Sequence, residues 1–191
     1  MHIDAAIRER RSHKVFAGEP LDPDILRDLI ELACWAPNHG LTEPWRFHAA
    51  LGPSKDRLRV AIDETLVAMR KPDAHSDEGR LAGKRRKMAT RIDQAGAVVA
   101  VTCPNSVDEP VRAREDYAAT CCAIQNLMLA ATARGLASYW STGKALDRTT
   151  VRTFWGLADD MVLVGTLFLG APAHSMRGRR QLGVDDVLRL V

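Results

Sequence analysis

Apolar positions along the chain change their spacing several times, and each change marks an element. Ile3, Ala6 and Ile7 recur at helical intervals, so a short helix is predicted with the basic run that follows at its C-terminal end. Asp22-Pro23-Asp24 then offers an N-cap, a first-turn proline and a first-turn acid ahead of a stripe of Ile25, Leu26, Leu29, Ile30 and Ala33. That second helix must stop near Ala36-Pro37, because a residue before proline is pushed out of helical geometry. WRFHAAL after Pro44 has strand character, and Ser54 is the expected cap of a helix carrying Leu58, Ala61, Ile62, Leu66 and Met69. The stretch from about residue 70 to 93 is charge-rich, with Leu81, Met88 and Ile92 as a thin apolar stripe, and is expected to be a peripheral helix or a mobile excursion.

GAVVAVT, residues 96–102, is continuously apolar, which places it as a strand covered on both faces at the centre of a sheet. Asp116 to Arg134 is predicted as a helix apolar almost all round and closed by Gly135 at C′. LASYWST and MVLVGTLFLG are two more strands, separated by a short helix that Asp147 caps and Gly156 ends. Strands and helices mix without regular alternation, so the predicted class is α+β. No repeat or low-complexity segment interrupts the chain. The tail from Ala173 to Val191 has no core of its own, yet its VDDVLRLV carries regular apolar positions, so it is expected to pack on something, a partner subunit included.

Length and charge narrow the picture. A chain of 191 residues suits one domain spanning 1–191 with a sizeable core. A formal charge of +3 permits an anionic small ligand and falls short of a dedicated nucleic-acid binder. The four cysteines, Cys34, Cys103, Cys121 and Cys122, have no metal-site spacing and are expected to be buried free thiols, with Cys121 and Cys122 in the core. The opening residues lack the apolar stretch of a signal peptide, and the uncharged run from Tyr117 to Ala133 is too short and too polar for a membrane span; a reduced, cytoplasmic protein is the expectation.

Four segments then compete for chemistry: RRSHK at Arg10–Lys14, APNHGLTEPW at Ala36–Trp45, SYWSTG at Ser138–Gly143, and RGRR at Arg177–Arg180. Taken singly, each has a plain structural account: a solvated helix end, a turn, a core tryptophan, a charged terminus. Lys84-Arg85-Arg86-Lys87 has the same account, a solvated helix face. Taken together and in this order, with FLGAP at Phe168–Pro172, they resemble the FMN-dependent nitroreductase family. The resemblance runs from Arg10 to about Pro172. It implies a nitroreductase-like fold, a central and mostly antiparallel sheet flanked by helices, with the C-terminal segment extending over a partner subunit.

The resemblance also implies roles. FMN ends in a phosphate dianion, which forked guanidinium groups and a serine hydroxyl bind well, so Arg10, Arg11 and Ser12 are expected flavin contacts. Lys14 is expected at the pyrimidine side of the ring, where reduction gathers negative charge. Trp140, Ser141 and Thr142 would offer backbone and hydroxyl groups to the ring, with Gly143 allowing close approach. Arg179, with Arg177 and Arg180 beside it, would close over the phosphate. His39 and Glu43 lie in a loop expected to reach the flavin held mainly by the other subunit. Glu43 departs from the family's glutamine: a carboxylate cannot donate as an amide does, so it is protonated, paired with a base, or turned away.

The implied activity is transfer of hydride from NADH or NADPH through FMN to a nitroaromatic, a quinone or a similar small electron-poor acceptor, in a ping-pong cycle within a homodimer. No protein residue is needed as a catalytic nucleophile and no metal is expected. A specialised flavin-dependent dehydrogenase or reductase on the same fold is the nearest alternative. A polyanion binder using Lys84–Lys87, or a thiol redox protein using Cys121-Cys122, belongs to other classes; nucleic acid and membrane are not expected partners.

Overall fold

The computed structural model describes residues 1–70, 78–178 and 180–191. Its elements are α1 (Ile3–Glu9), α2 (Pro23–Ala33), β1 (Arg46–Ala50), α3 (Pro53–Ala68), α4 (Glu78–Gln94), β2 (Ala97–Pro104), α5 (Pro110–Ala133), β3 (Ala137–Ser141), α6 (Thr149–Trp155) and β4 (Met161–Gly170). Short 3₁₀ turns occupy His39–Leu41 and Lys144–Asp147.

The four strands form one antiparallel sheet in the order β1-β2-β4-β3. β2 is a central strand, as its uninterrupted apolar run demands, and its residues from Ala97 to Cys103 are all buried. Alternate residues divide between two cores. Ala97, Val99, Val101 and Cys103 face α2 and α5 with Leu29, Leu127 and Leu167, while Val98 and Ala100 face α3, α4 and α6 with Leu58, Ile62, Ile92 and Phe168. The architecture is therefore α+β: helices on both faces of an antiparallel sheet.

Several boundaries differ from the sequence expectation. The α3 helix is capped by Gly52, with Pro53 opening the helix, because Ser54 turns its hydroxyl back to bond both the N–H and the carbonyl of Leu51. The α5 helix begins at Pro110, six residues before Asp116, since a proline at the first helical position needs no hydrogen-bond partner. Asp147 does not cap α6: its carboxylate accepts from Arg152 Nη1 at 2.9 Å and Arg148 takes the N-cap position. Gly156 does end α6, in the left-handed conformation that glycine adopts without cost. Of the α1 stripe only Ala6 is buried; Ile3 and Ile7 are exposed. The thiols also divide, with Cys103 buried, Cys121 half-buried, and Cys34 and Cys122 exposed, so Cys122 is not a core residue. Helix periodicity turns it to the side opposite the buried Thr120, Ala123 and Ile124.

No helix among the described residues is long and apolar enough to cross a membrane. The tail from Ala173 forms no helix or strand among its described residues, and Leu182, Val184, Val187, Leu188 and Leu190 are all exposed.

Candidate functional site

The basic opening becomes a cleft because the helix stops where it does. Arg10 is the C-cap of α1, and the chain beyond it is extended and runs beside the open edge of β3. Ser12 bridges Ser138, and the His13 N–H donates to the Ser138 carbonyl at 3.0 Å. Farther on, Phe16 bridges Pro172 and the Ala17 N–H donates to the Ala171 carbonyl. Extended backbone alternates its side chains, so the RRSHK residues part company.

Arg8, Arg10, Arg11 and Ser12 line a cleft of about 830 Å³ whose other wall is the C-terminal segment at Arg177, Gly178 and Arg180. Asp4 is the one acid lining it among the described residues. Arg11 donates from Nη1 to the Arg10 carbonyl at 2.7 Å, while its Nε is buried without a partner among the described residues. Gly178 lies against the Arg11 guanidinium so closely that a Cβ there would collide with it. Nearby, the Ser138 hydroxyl is buried without a partner among the described residues. Converging guanidinium groups with an unspent N–H are a donor set for a phosphate dianion. Arg179 lies outside the described residues.

His13 does not add charge to this cleft. Burial, the neighbouring His174 and the Arg11 guanidinium together hold its pKa below the ordinary histidine value, and its ring lies 6.4 Å from that of His174.

Lys14 emerges on the other side of the sheet edge. Its Nζ sits 5.7 Å from the centre of the Tyr139 ring, and the Arg91 guanidinium covers the same ring at 4.7 Å. Trp140, next in the strand, points to the opposite face, where its indole covers Gly165 and Nε1 donates to the Val164 carbonyl at 3.4 Å. Its side chain is thus a core element. Its backbone is not: Ser138 turns its carbonyl to the open edge, and Trp140, two residues on, turns its own N–H and C=O the same way. Ser141 is buried at the end of β3 with Gly143 close to its hydroxyl, and Thr142 is exposed just beyond.

His39 and Glu43 are not brought to this cleft within the chain. His39 pairs through Nδ1 with Glu115 of α5 at 2.8 Å, beside a second hollow of about 450 Å³ that α5's first turn lines. Thr42 donates to the next acid, the buried Asp116, at 3.0 Å, and Arg112 completes that carboxylate's pairing at 3.2 Å. Two successive α5 acids thus clamp the loop, which passes through left-handed geometry at Leu41 (φ 53°) and Glu43 (φ 42°). The Glu43 N–H donates to Asn38 Oδ1 at 3.0 Å and its carbonyl accepts from Arg46. The Glu43 side chain is exposed and meets no basic partner among the described residues. Of the three outcomes open to it, pairing with a base is the one not seen among the described residues of this chain.

Sequence reasoning missed Arg91, Tyr139, Gly178 and the Glu115–Asp116 pair. Tyr139 stood in the quoted strand motif, and period-two alternation places it on the face opposite Trp140; the others depend on contacts distant in sequence.

An antiparallel sheet covered on both faces, with a basic cleft at the end of the first helix beside a sheet edge, defines an α+β protein whose candidate site is rich in guanidinium donors. The Nitroreductase family model matches residues 7–171, and the chain belongs to that family. YfhC of Bacillus subtilis is 30% identical over 184 residues, covering 94% of this chain and 89% of its own. A nitroreductase-like family protein from Bacillus cereus has a solved structure that superposes with TM-score 0.86 at 26% identity, covering 100% of this chain and 96% of that one. The FMN-dependent nitroreductase NfnB from Mycobacterium smegmatis, solved in complex with NADPH, superposes with TM-score 0.80 at 21% identity over 98% of this chain and 97% of its own.

Proposed function

We propose that this chain is an FMN-dependent oxidoreductase that passes hydride from NAD(P)H to nitroaromatic, quinone or similar electron-poor acceptors, as a homodimer with its flavins between the subunits. The observation that carries the reading is the guanidinium-lined cleft at Arg10–Ser12, where Arg11 keeps a buried N–H unspent and Gly178 closes the opposite wall.

Bound FMN supplies the two-electron chemistry, taking up hydride from one small molecule and delivering it to the next. The chain supplies binding, orientation and charge. Arg10, Arg11 and Ser12, with Arg177, Arg179 and Arg180 of the tail, hold the phosphate; charge-assisted hydrogen bonds of this kind are roughly twice as strong as neutral ones. The Trp140 backbone and the Ser141 and Thr142 hydroxyls meet the ring along the open edge of β3. Lys14 sets a positive charge beside it, which favours the reduced state. The loop of His39 and Glu43, held on α5 through the His39–Glu115 and Thr42–Asp116 bonds, approaches the flavin of the neighbouring subunit, which accounts for its distance from its own chain's cleft.

Cofactor extraction and light scattering on the purified protein test this reading. A yellow dimer releasing FMN, not FAD, is expected. Deleting the chain after Ala173 should lose dimer and flavin together. A colourless protein that takes up no added FMN would refute it, and a truncated monomer with full FMN affinity would refute the inter-subunit site.

A further inference from the structure

The charged helix α4, which a solvated-face account would dismiss, gathers four of its six cations on one side, Arg85 and Arg86 lying off it. Arg80, Lys84, Lys87 and Arg91 are spaced four, three and four apart, so at ~100° per residue they fall on one narrow stripe. The two acids of the helix, Glu78 and Asp93, lie on the other side and are already engaged, Glu78 by Arg70 at 3.0 Å and Asp93 by Arg59 at 3.4 Å. Arg85 faces α3 and is neutralised there by two 2.6 Å bonds to Asp63. Among the described residues, none of the four stripe cations lies within ion-pair distance of a carboxylate. Like charges three and four residues apart weaken a helix, and nothing described in the fold repays this.

The stripe is also anchored. Its last member, Arg91, lies over Tyr139 at 4.7 Å and over Phe168 at 5.6 Å, with Nε 3.5 Å from the Lys14 carbonyl. It therefore starts at the sheet edge that carries Lys14 and runs outward for eleven residues, roughly 16 Å at ~1.5 Å per residue. A single line of cations leading from the ring end of the flavin cleft fits one extended dinucleotide better than a broad polyanion.

We propose that Lys84 and Lys87, supported by Arg80 and Arg91, seat the 2′-phosphate of the nicotinamide donor, so that this chain takes NADPH in preference to NADH. The inference rests on the flavin oxidoreductase reading above.

FMN content is measured first, by absorbance, in the wild type and in the double variant Lys84→Gln/Lys87→Gln. NADP⁺ and NAD⁺ are then titrated calorimetrically against each FMN-loaded protein. The wild type should bind NADP⁺ at least tenfold more tightly, and the double variant should lose that preference with FMN content and NAD⁺ affinity unchanged. Raising the salt should erode the wild-type preference. A flavin-loaded wild type with equal affinities, or a double variant that keeps the preference, overturns the proposal and leaves the flavin reading standing. A single-stranded oligonucleotide bound more tightly than NADP⁺, and lost in the double variant, overturns it in favour of a polyanion site. A protein that takes up no FMN overturns both readings.

Discussion

Substituting Gly178 by alanine adds one methyl group at the point where the tail meets the cleft. The new Cβ would overlap the Arg11 guanidinium, so either Arg11 swings away or the tail retreats. If Arg11 moves, it gives up its 2.7 Å bond to the Arg10 carbonyl and withdraws a guanidinium from the proposed phosphate site. If the tail moves, Arg177 and Arg180 leave instead. Either way about one hydrogen bond to a charged group is lost, ~1.5–3 kcal/mol, or roughly 10- to 150-fold in affinity at ~1.4 kcal/mol per tenfold. Gly178 is exposed and lies outside every helix and strand, so the apo-protein's stability should change by less than ~0.5 kcal/mol. Titration of apo-protein with FMN, followed by flavin fluorescence, reads the loss. A double-mutant cycle with Arg11→Ala separates the two routes: if Gly178 acts through Arg11, the double variant binds no worse than Arg11→Ala alone. Equal dissociation constants for wild type and Gly178→Ala would refute the closed-cleft geometry.

Two further predictions follow from buried groups. His13 and His48 both have pKa values held below 6.5, chiefly by burial. The unfolded chain then binds more protons than the folded one as pH falls through the ordinary histidine range, so stability should decline from pH 7 towards pH 5, and thermal melts of His13→Gln should show a shallower decline; identical slopes would refute the assignment to His13. Asp116→Ala leaves Thr42 without its acceptor and the partly exposed Arg112 without its anion, and should cost ~1–3 kcal/mol in urea unfolding; an unchanged midpoint would mean that the clamp carries no energy.

Where the signal was local, the sequence was legible. Asp22-Pro23 marks the start of α2, the uninterrupted β2 run marks a central strand, and Gly135 and Gly156 both adopt the left-handed geometry that ends a helix. Where a side chain had two uses, reading failed. Asp147 and Ser54 both look like caps, yet one is taken by Arg152 and the other by Leu51. The α5 start was hidden because Arg112, Arg114 and Glu115 show no apolar period, although Pro110 is well suited to a first turn. The RRSHK cluster was legible as chemistry but not as geometry: only the extended chain after Arg10 reveals that Arg11 and His13 turn away from Lys14.

The loop at His39–Glu43 shows what a single chain leaves unfinished. Leu41 and Glu43 sit in left-handed geometry that costs non-glycine residues of order 1–3 kcal/mol each, and two α5 acids are spent to hold them there. The strain covers nothing within the chain: Leu41 is 83% exposed, and Trp35 at the end of α2 is 77% exposed. The apolar tail presents the same problem, with Leu182, Val187 and Leu190 in solvent. Burying a large apolar side chain is worth ~1.5–3 kcal/mol, so a loop held strained to expose one, and a tail that exposes several, would both gain stability from being covered. A second copy of the chain would cover them through one two-fold contact. That is the assembly in which His39 would also gain a flavin to face.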